Sequence, residues 1–342
     1  MQDHIQNILM IRRGAIGDII FTLPAYHMLR ANFPNSRISF LVKDVYSEVL
    51  KGFPGLDKVL LLNNQLLNSK NMIQIGKMSI ELFHTIRSNN YQLVVDFAGH
   101  GEQALLLWMS GIKHRWGLIK SKKPLRQRLY TNSFIRQQGM HLIDQHLRLL
   151  EQGGLKPSPV NNHYVVPQDS LTKAKSLFNA WGLSLQKPTI FIQPFTGDGI
   201  AGKIWPLEYY TALAKHWQNQ GVQIIFGGGP SEQEKLKDIA VHFPVAAGKT
   251  DFITSVGLAS LSSVAVGGDT GLLHAALAAG TRTVMAVGPT DSQLIGPYRH
   301  PEWAVKPKTG KLIENISIEQ VLEATKAALS ETSHSCQQQE VQ

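Results

Sequence analysis

Three short stretches set chemically competent side chains beside glycines. In Gly14-Ala15-Ile16-Gly17-Asp18 a carboxylate follows a turn that lets backbone pass close to a ligand. Asp18 has two readings: an acid of the first helical turn, favoured by the helix dipole, or a general base held where a ligand enters. In Gly267-Gly268-Asp269-Thr270-Gly271 a carboxylate, a hydroxyl and backbone amides open a helix, whose unpaired N–H groups and dipole favour a phosphate. A carboxylate repels phosphate, so Asp269 suits sugar hydroxyls as a hydrogen-bond acceptor. His274, one turn further on, reads equally as a structural histidine or a ligand contact.

Lys203, in Gly202-Lys203-Ile204-Trp205-Pro206, precedes a helix with Pro206 near its first position. It is either a surface charge or a cation suited to a diphosphate leaving group without a metal. Gly227-Gly228-Gly229-Pro230-Ser231-Glu232 is no dinucleotide fingerprint and lacks the lysine of a P-loop. A strand-to-helix turn capped by Ser231 explains it as well as a nucleotide contact does, with Glu232 and Glu234 favouring the helix start. The histidines are scattered and no Asp-x-Asp pair occurs, so neither a bound metal nor a resident cofactor is expected.

These residues need elements to position them. At 342 residues the chain exceeds one comfortable core, and 43% hydrophobic against 17% charged residues supplies enough apolar surface for two. The start of the chain reads as neither signal peptide nor membrane span, and the single Cys336 lies in a polar tail, which points to a soluble cytoplasmic protein that rests on packing. Strands are expected at Ile8–Ile11, Ile38–Val42, Val59–Leu62 and Leu93–Phe97, with a helix over Asp18–Asn32; such alternation predicts a parallel sheet with helices on both faces. A Pro-, Gly- and Asn-rich connection, Gly153–Gln168, separates a first domain, 1–160, from a second, 161–315.

In the second domain helices are expected at Ser170–Trp181, Leu207–Gln220 and from Glu232, and strands at Ile190–Gln193 and Val222–Phe226. The unit Val264–Val266, turn, helix, Thr283–Val287 closes the sheet, and 316–342 forms a last helix and a frayed tail. Two Rossmann-like halves of this kind, facing across a cleft, hold ligands at the carboxyl ends of their strands.

Charge is unevenly spread. No acid occurs between Glu102 and Asp144, where Lys113, Arg115, Lys120, Lys122, Lys123, Arg126, Arg128 and Arg136 provide eight positive charges of a net +9. Nucleic acid, anionic lipid or a phosphorylated sugar would be drawn there, unless the stretch is simply a solvated basic face. Sparse aromatic interleaving, with Trp116 and Tyr130 the candidates for stacking, makes nucleic acid the weakest of these partners.

Taken together, the residues resemble the bacterial heptosyltransferases of glycosyltransferase family 9. The resemblance spans nearly the whole chain: Gly17-Asp18 with Thr22-Leu23-Pro24, Lys203 with Trp205-Pro206, Asp269 to His274, Gly288-Pro289-Thr290-Asp291, and Leu294 to Tyr298. The last groups are closest to the type I branch, whose acceptor is Kdo-lipid A. The resemblance implies a GT-B fold, metal-independent inverting transfer of heptose from ADP-heptose, and an enzyme peripheral at the cytoplasmic face of the inner membrane. It implies that Asp18 is the base and that Lys203, with the amides near Thr270 and Gly271, steadies the departing ADP. Thr196, Glu232, Asp269 and His274 then complete the donor side, and Arg12, Arg13, Gly17, Lys113, Arg115, Lys122 and Arg126 face an anionic acceptor.

Two departures bear on the acceptor. Gly14 and Ala15 stand where family members often have serines, and Asp96-Phe97-Ala98-Gly99-His100-Gly101-Glu102 replaces the family's Asp-x-Gln-Gly-x-x-Lys. Glu102 reverses a charge that an anionic acceptor would favour. The rivals are therefore a family 9 transferase acting on another core or capsule sugar or on a protein, and a non-catalytic nucleotide-sugar-binding protein.

Overall fold

A computed structural model describes residues 5–69, 71–120, 124–196 and 202–330. The chain divides into two compact units, one ending at Val165 and the other beginning at Val166. Among the described residues no helix is long and apolar enough to cross a membrane.

The first unit is built on six strands: β1 (Asn7–Ile11), β2 (Arg37–Lys43), β3 (Lys58–Leu62), β4 (Leu93–Asp96), β5 (His114–Ile119) and β6 (Asn132–Ile135). Their spatial order is β3-β2-β1-β4-β5-β6, every pair parallel. Leu9, Ile11, Leu41 and Val94 pack under Ala104 and Leu107 of the helix Gly101–Met109. A sheet covered on both faces gives continuous apolar strands, which is why β1, β2 and β4 are legible in the sequence.

The expected helix over 18–32 is two helices, Ile16–Ile20 and Leu23–Asn32. Pro24 has no N–H to give the Ile20 carbonyl, and the Thr22 hydroxyl takes up the Ile19 carbonyl at 2.7 Å, so the first helix ends there. The basic stretch 113–136 is not a continuous patch either. It contains β5, a short helix (Pro124–Leu129) and β6, and Trp116 to Ile119 are buried.

The second unit holds β7 (Thr189–Gln193), β8 (Gln223–Phe226), β9 (Val264–Gly268), β10 (Arg282–Ala286) and the two-residue β11 (Ala304–Val305), in the parallel order β11-β10-β9-β7-β8. Thus β11, not the β9–β10 unit, closes one edge, and β9 is central. Instead of a helix from Glu232, three short 3-10 turns run from Pro230 to Val241. A helix over Phe252–Ser260, unread in the sequence, packs on the helix Gln168–Ala180. The last described helix, Ile318–Ser330, packs on β9 and β10 and so belongs to this unit's core.

Both strand orders have a point where the direction of winding reverses, β1/β4 in the first unit and β7/β9 in the second. Open parallel sheets bind ligands outside the carboxyl ends of such strands.

Candidate active site

At the end of β1 the chain runs Arg12-Arg13-Gly14-Ala15 into the short helix that carries Asp18. Gly14 adopts φ +145°, and a Cβ there would run into the Tyr46 ring, so this corner demands glycine. Asp18 lies in the first turn, where its Oδ2 accepts from the Ala15 amide at 3.3 Å. Ala15 has no side-chain oxygen to return the bond, so half a capping box remains.

The same Oδ2 ion-pairs with Arg12 Nη2, while Arg12 Nη1 donates to the Phe97 carbonyl, at 2.7 Å, just beyond β4. Arg12 therefore ties both strands of the switch point to the carboxylate. Both donors fall on Oδ2, so among the described residues Asp18 Oδ1 has no donor of its own, and the side chain is 31% exposed. Asp18 is thus a first-turn acid that keeps one carboxylate oxygen accessible.

Near this pair lie His146, which the sequence did not single out, and Arg136, the last cation of the basic stretch. His146 is fully buried, tilted against the Phe97 ring at 4.6 Å, with Nδ1 2.8 Å from the Phe21 carbonyl. A carbonyl only accepts, so Nδ1 carries a proton, and burial disfavours a second proton on the ring. Burial holds its pKa well below the ordinary value, and the Arg12 and Arg136 charges push the same way. Arg136 follows β6 and is half-buried; its Nε and Nη2 have no hydrogen-bond partner among the described residues, nor does Arg12 Nε. Its pKa is lowered by burial and by Arg12.

The loop after β4 is fastened from below. Asp96 is fully buried; its Oδ1 accepts from the Ala98 and Gly99 amides at 2.9 and 3.0 Å, and its Oδ2 from the Tyr130 hydroxyl at 2.6 Å. Burial raises its pKa despite these bonds. Arg126 donates to the Gly99 carbonyl at 3.1 Å, so it lies on the same loop. Arg13 pairs with Glu102 at 3.0 Å, which offsets the reversed charge.

Arg115 is placed differently: its guanidinium donates to the Leu129 carbonyl at 2.9 Å and to the Ile112 carbonyl, fastening β5 to its neighbours instead of facing a ligand. Lys113 is exposed, and Gly17 lies in the Asp18 helix. Lys122 lies outside the described residues.

In the second unit, Asp269 follows β9 at its switch point. Its Oδ1 meets His274 Nε2 at 2.8 Å, and both side chains are nearly buried, 9% and 4% exposed. Burial alone would raise the Asp269 pKa, but the His274 bond and the charges of His274 and Lys203 lower it. The Thr270 hydroxyl caps the helix Gly271–Ala278 by accepting from the Leu273 amide at 3.3 Å, and the His274 amide closes the first turn on the Thr270 carbonyl. His274 is thus the partner that orients Asp269.

Glycines let this corner close. A Cβ on Gly268 would stand 3.2 Å from the Lys203 carbonyl and 3.6 Å from Thr196 Cγ2, so Thr196, Lys203 and Asp269 gather at the end of β9. Lys203 is held there by Trp205, which is fully buried, donates from Nε1 to the Ile316 carbonyl at 2.8 Å and meets Tyr210 edge-on. Thr196 Oγ1 is buried with no partner among the described residues. Glu232 braces the glycine turn after β8, Oε2 accepting from the Gly229 amide at 2.7 Å; Glu232, not Ser231, makes that cap.

A model of glycosyltransferase family 9 (heptosyltransferase) matches residues 79–319. Lipopolysaccharide heptosyltransferase 1 of Escherichia coli K12 is 22% identical over 327 residues, covering 92% of this chain and 98% of its own. Among solved structures, a family 9 glycosyl transferase from Veillonella parvula superposes with a TM-score of 0.80 at 20% identity, over 95% of this chain and 97% of its own. The E. coli heptosyltransferase WaaC with ADP-2-deoxy-2-fluoro heptose gives 0.76 at 18% identity, over 94% and 99%. These likenesses identify the architecture as GT-B.

Proposed function

We propose, because this chain belongs to glycosyltransferase family 9, the heptosyltransferases, that it transfers heptose from ADP-heptose to a Kdo residue of the lipopolysaccharide inner core, with inversion and without a metal. The observation that carries the reading is the Asp18 carboxylate, held on one oxygen by Arg12 and open on the other, at the winding reversal of the first sheet. Asp18 Oδ1 takes the proton from an acceptor hydroxyl as that oxygen bonds to the anomeric carbon. The bond from that carbon to the diphosphate oxygen breaks, and ADP leaves with the electron pair.

The second unit holds the donor. Lys203 and the amides of the capped helix at Thr270 and Gly271 meet the diphosphate, while Asp269, oriented by His274, accepts from heptose hydroxyls. Glu232 shapes the loop toward the nucleoside. The WaaC complex supports an ADP-heptose donor. Arg12 and Arg136, two guanidinium groups against the single Asp18 carboxylate, favour an anionic acceptor and a working position at the cytoplasmic face of the inner membrane. The Arg13–Glu102 pair favours a second reading, a family 9 transferase acting on a less anionic core sugar, because it neutralises a position that would otherwise add positive charge.

The test is ADP release from ADP-heptose with and without Kdo-lipid A. Release that needs the acceptor, with kcat at least about a hundredfold lower in Asp18→Asn, supports the reading. Near-wild-type kcat in a folded Asp18→Asn removes Asp18 from the chemistry. Release with a neutral core sugar but not with Kdo-lipid A favours the second reading.

A further inference from the structure

The helix Met72–Ser88 carries eight apolar side chains, Met72, Ile73, Ile75, Met78, Ile80, Leu82, Phe83 and Ile86, yet Ile86 is its single buried residue. Most helical stability in a protein comes from burying an apolar face, so a helix of this composition leaves a face to be covered. Met72, Ile73 and Ile80 are 76%, 75% and 59% exposed, and on the helix Gly101–Met109 Leu105, Trp108 and Met109 are 46%, 53% and 56% exposed. Between the two helices runs a groove of about 360 Å³ lined by Leu67, Leu82, Phe83, Leu106 and Met109, with the Arg13–Glu102 pair also in its wall.

We propose that this face docks the first unit on an anionic bilayer, with acyl chains entering the groove. Clustered exposed apolar side chains on one face mark an interaction surface. Charge selects the occupant: Lys77, Arg87 and Lys113 are exposed on or beside the two helices, against the single unpaired acid Glu81. Cations flanking an apolar face draw in anionic headgroups, and an exposed Trp suits the headgroup boundary. The groove shares Arg13 with the corner that holds Asp18, so a lipid-borne sugar would arrive beside the base. The inference rests on a lipid-linked acceptor and replaces a basic stretch with an apolar face as the membrane contact.

The experiment uses the full chain with vesicles of phosphatidylcholine and phosphatidylglycerol brominated in mid-chain. Trp108 is the exposed one of six tryptophans, Trp116, Trp205, Trp217 and Trp303 being buried and Trp181 partly so. Quenching of tryptophan fluorescence that disappears in Trp108→Phe, with binding at least tenfold weaker in Ile80→Glu/Met109→Glu, is the expected result. No quenching, or binding that the double substitution leaves intact, overturns the proposal. So does a protein that is dimeric without lipid and monomeric in the variant, since a second copy would then be the occupant. Transfer to a deacylated, water-soluble acceptor is measured alongside and is expected unchanged in the variant. Its absence in the wild type overturns the functional reading, while the vesicle result still decides the docking face.

Discussion

Asp269 shows how one residue serves two ends. Its charge is stabilised by His274 and Lys203 inside a nearly buried corner, so it is a fixed hydrogen-bond acceptor, and the proposed donor site gives it a heptose hydroxyl to accept from. Asp269→Asn keeps the size and removes the charge. ADP-heptose binding is expected to weaken about tenfold, near 1.4 kcal/mol, while ADP itself binds as before. Equal weakening of both ligands in a calorimetric titration would show that Asp269 acts by holding Lys203 and His274 in place and makes no contact with the sugar. The sequence made Asp18, Lys203 and Asp269 legible because each sits in a glycine-marked turn. It left His146 and the Asp96–Tyr130 bond illegible, since they depend on contacts more than thirty residues apart, and it could not show that Arg115 spends its donors on backbone carbonyls.

The element that positions the Asp269 corner is the β7–β9 pair. Its closeness rests on Gly267, where a Cβ would run into the Gln193 carbonyl, with Leu273 Cδ1 also only 3.0 Å away. Gly267→Ala must push the strands apart or displace the helix Gly271–Ala278, at an expected cost of about 1–3 kcal/mol. An unchanged urea midpoint would show that the corner has slack. At this scale the parallel strands of both sheets were mostly readable, because buried strands are written in apolar runs. What escaped has physical causes. The polar pair His114 and Arg115 hides the start of β5, β11 has two residues, and the helix Phe252–Ser260 is apolar on nearly every face and so shows no stripe. The break at Thr22 was available in principle, since Pro24 forbids a continuous helix.

The pH response is a property of the whole molecule, in which titrating groups oppose one another. His146 has its pKa pushed well down, first by burial, and His27, His100 and His114 are lowered by burial too. A histidine with a depressed folded-state pKa contributes stability that is complete above its unfolded value, about 6.5, and is lost as pH falls below it, because the unfolded chain then binds more protons. Asp96 acts in the opposite sense: its raised pKa gives stability that is complete below the ordinary carboxylate value, about 4, and lost as pH rises through the folded one. Asp57 and Asp269, whose pKa values are lowered, add stability that fades only below about 4. Between pH 7 and 5 the fully buried His146 therefore sets the largest histidine contribution, up to about 1.4 kcal/mol per pH unit for one proton. His146→Gln keeps a donor for the Phe21 carbonyl and cannot titrate, and the other groups are common to both proteins. Urea midpoints across that range are expected to fall less steeply with acid in the variant, and parallel curves would mean that His146 takes up its proton without unfolding the first unit.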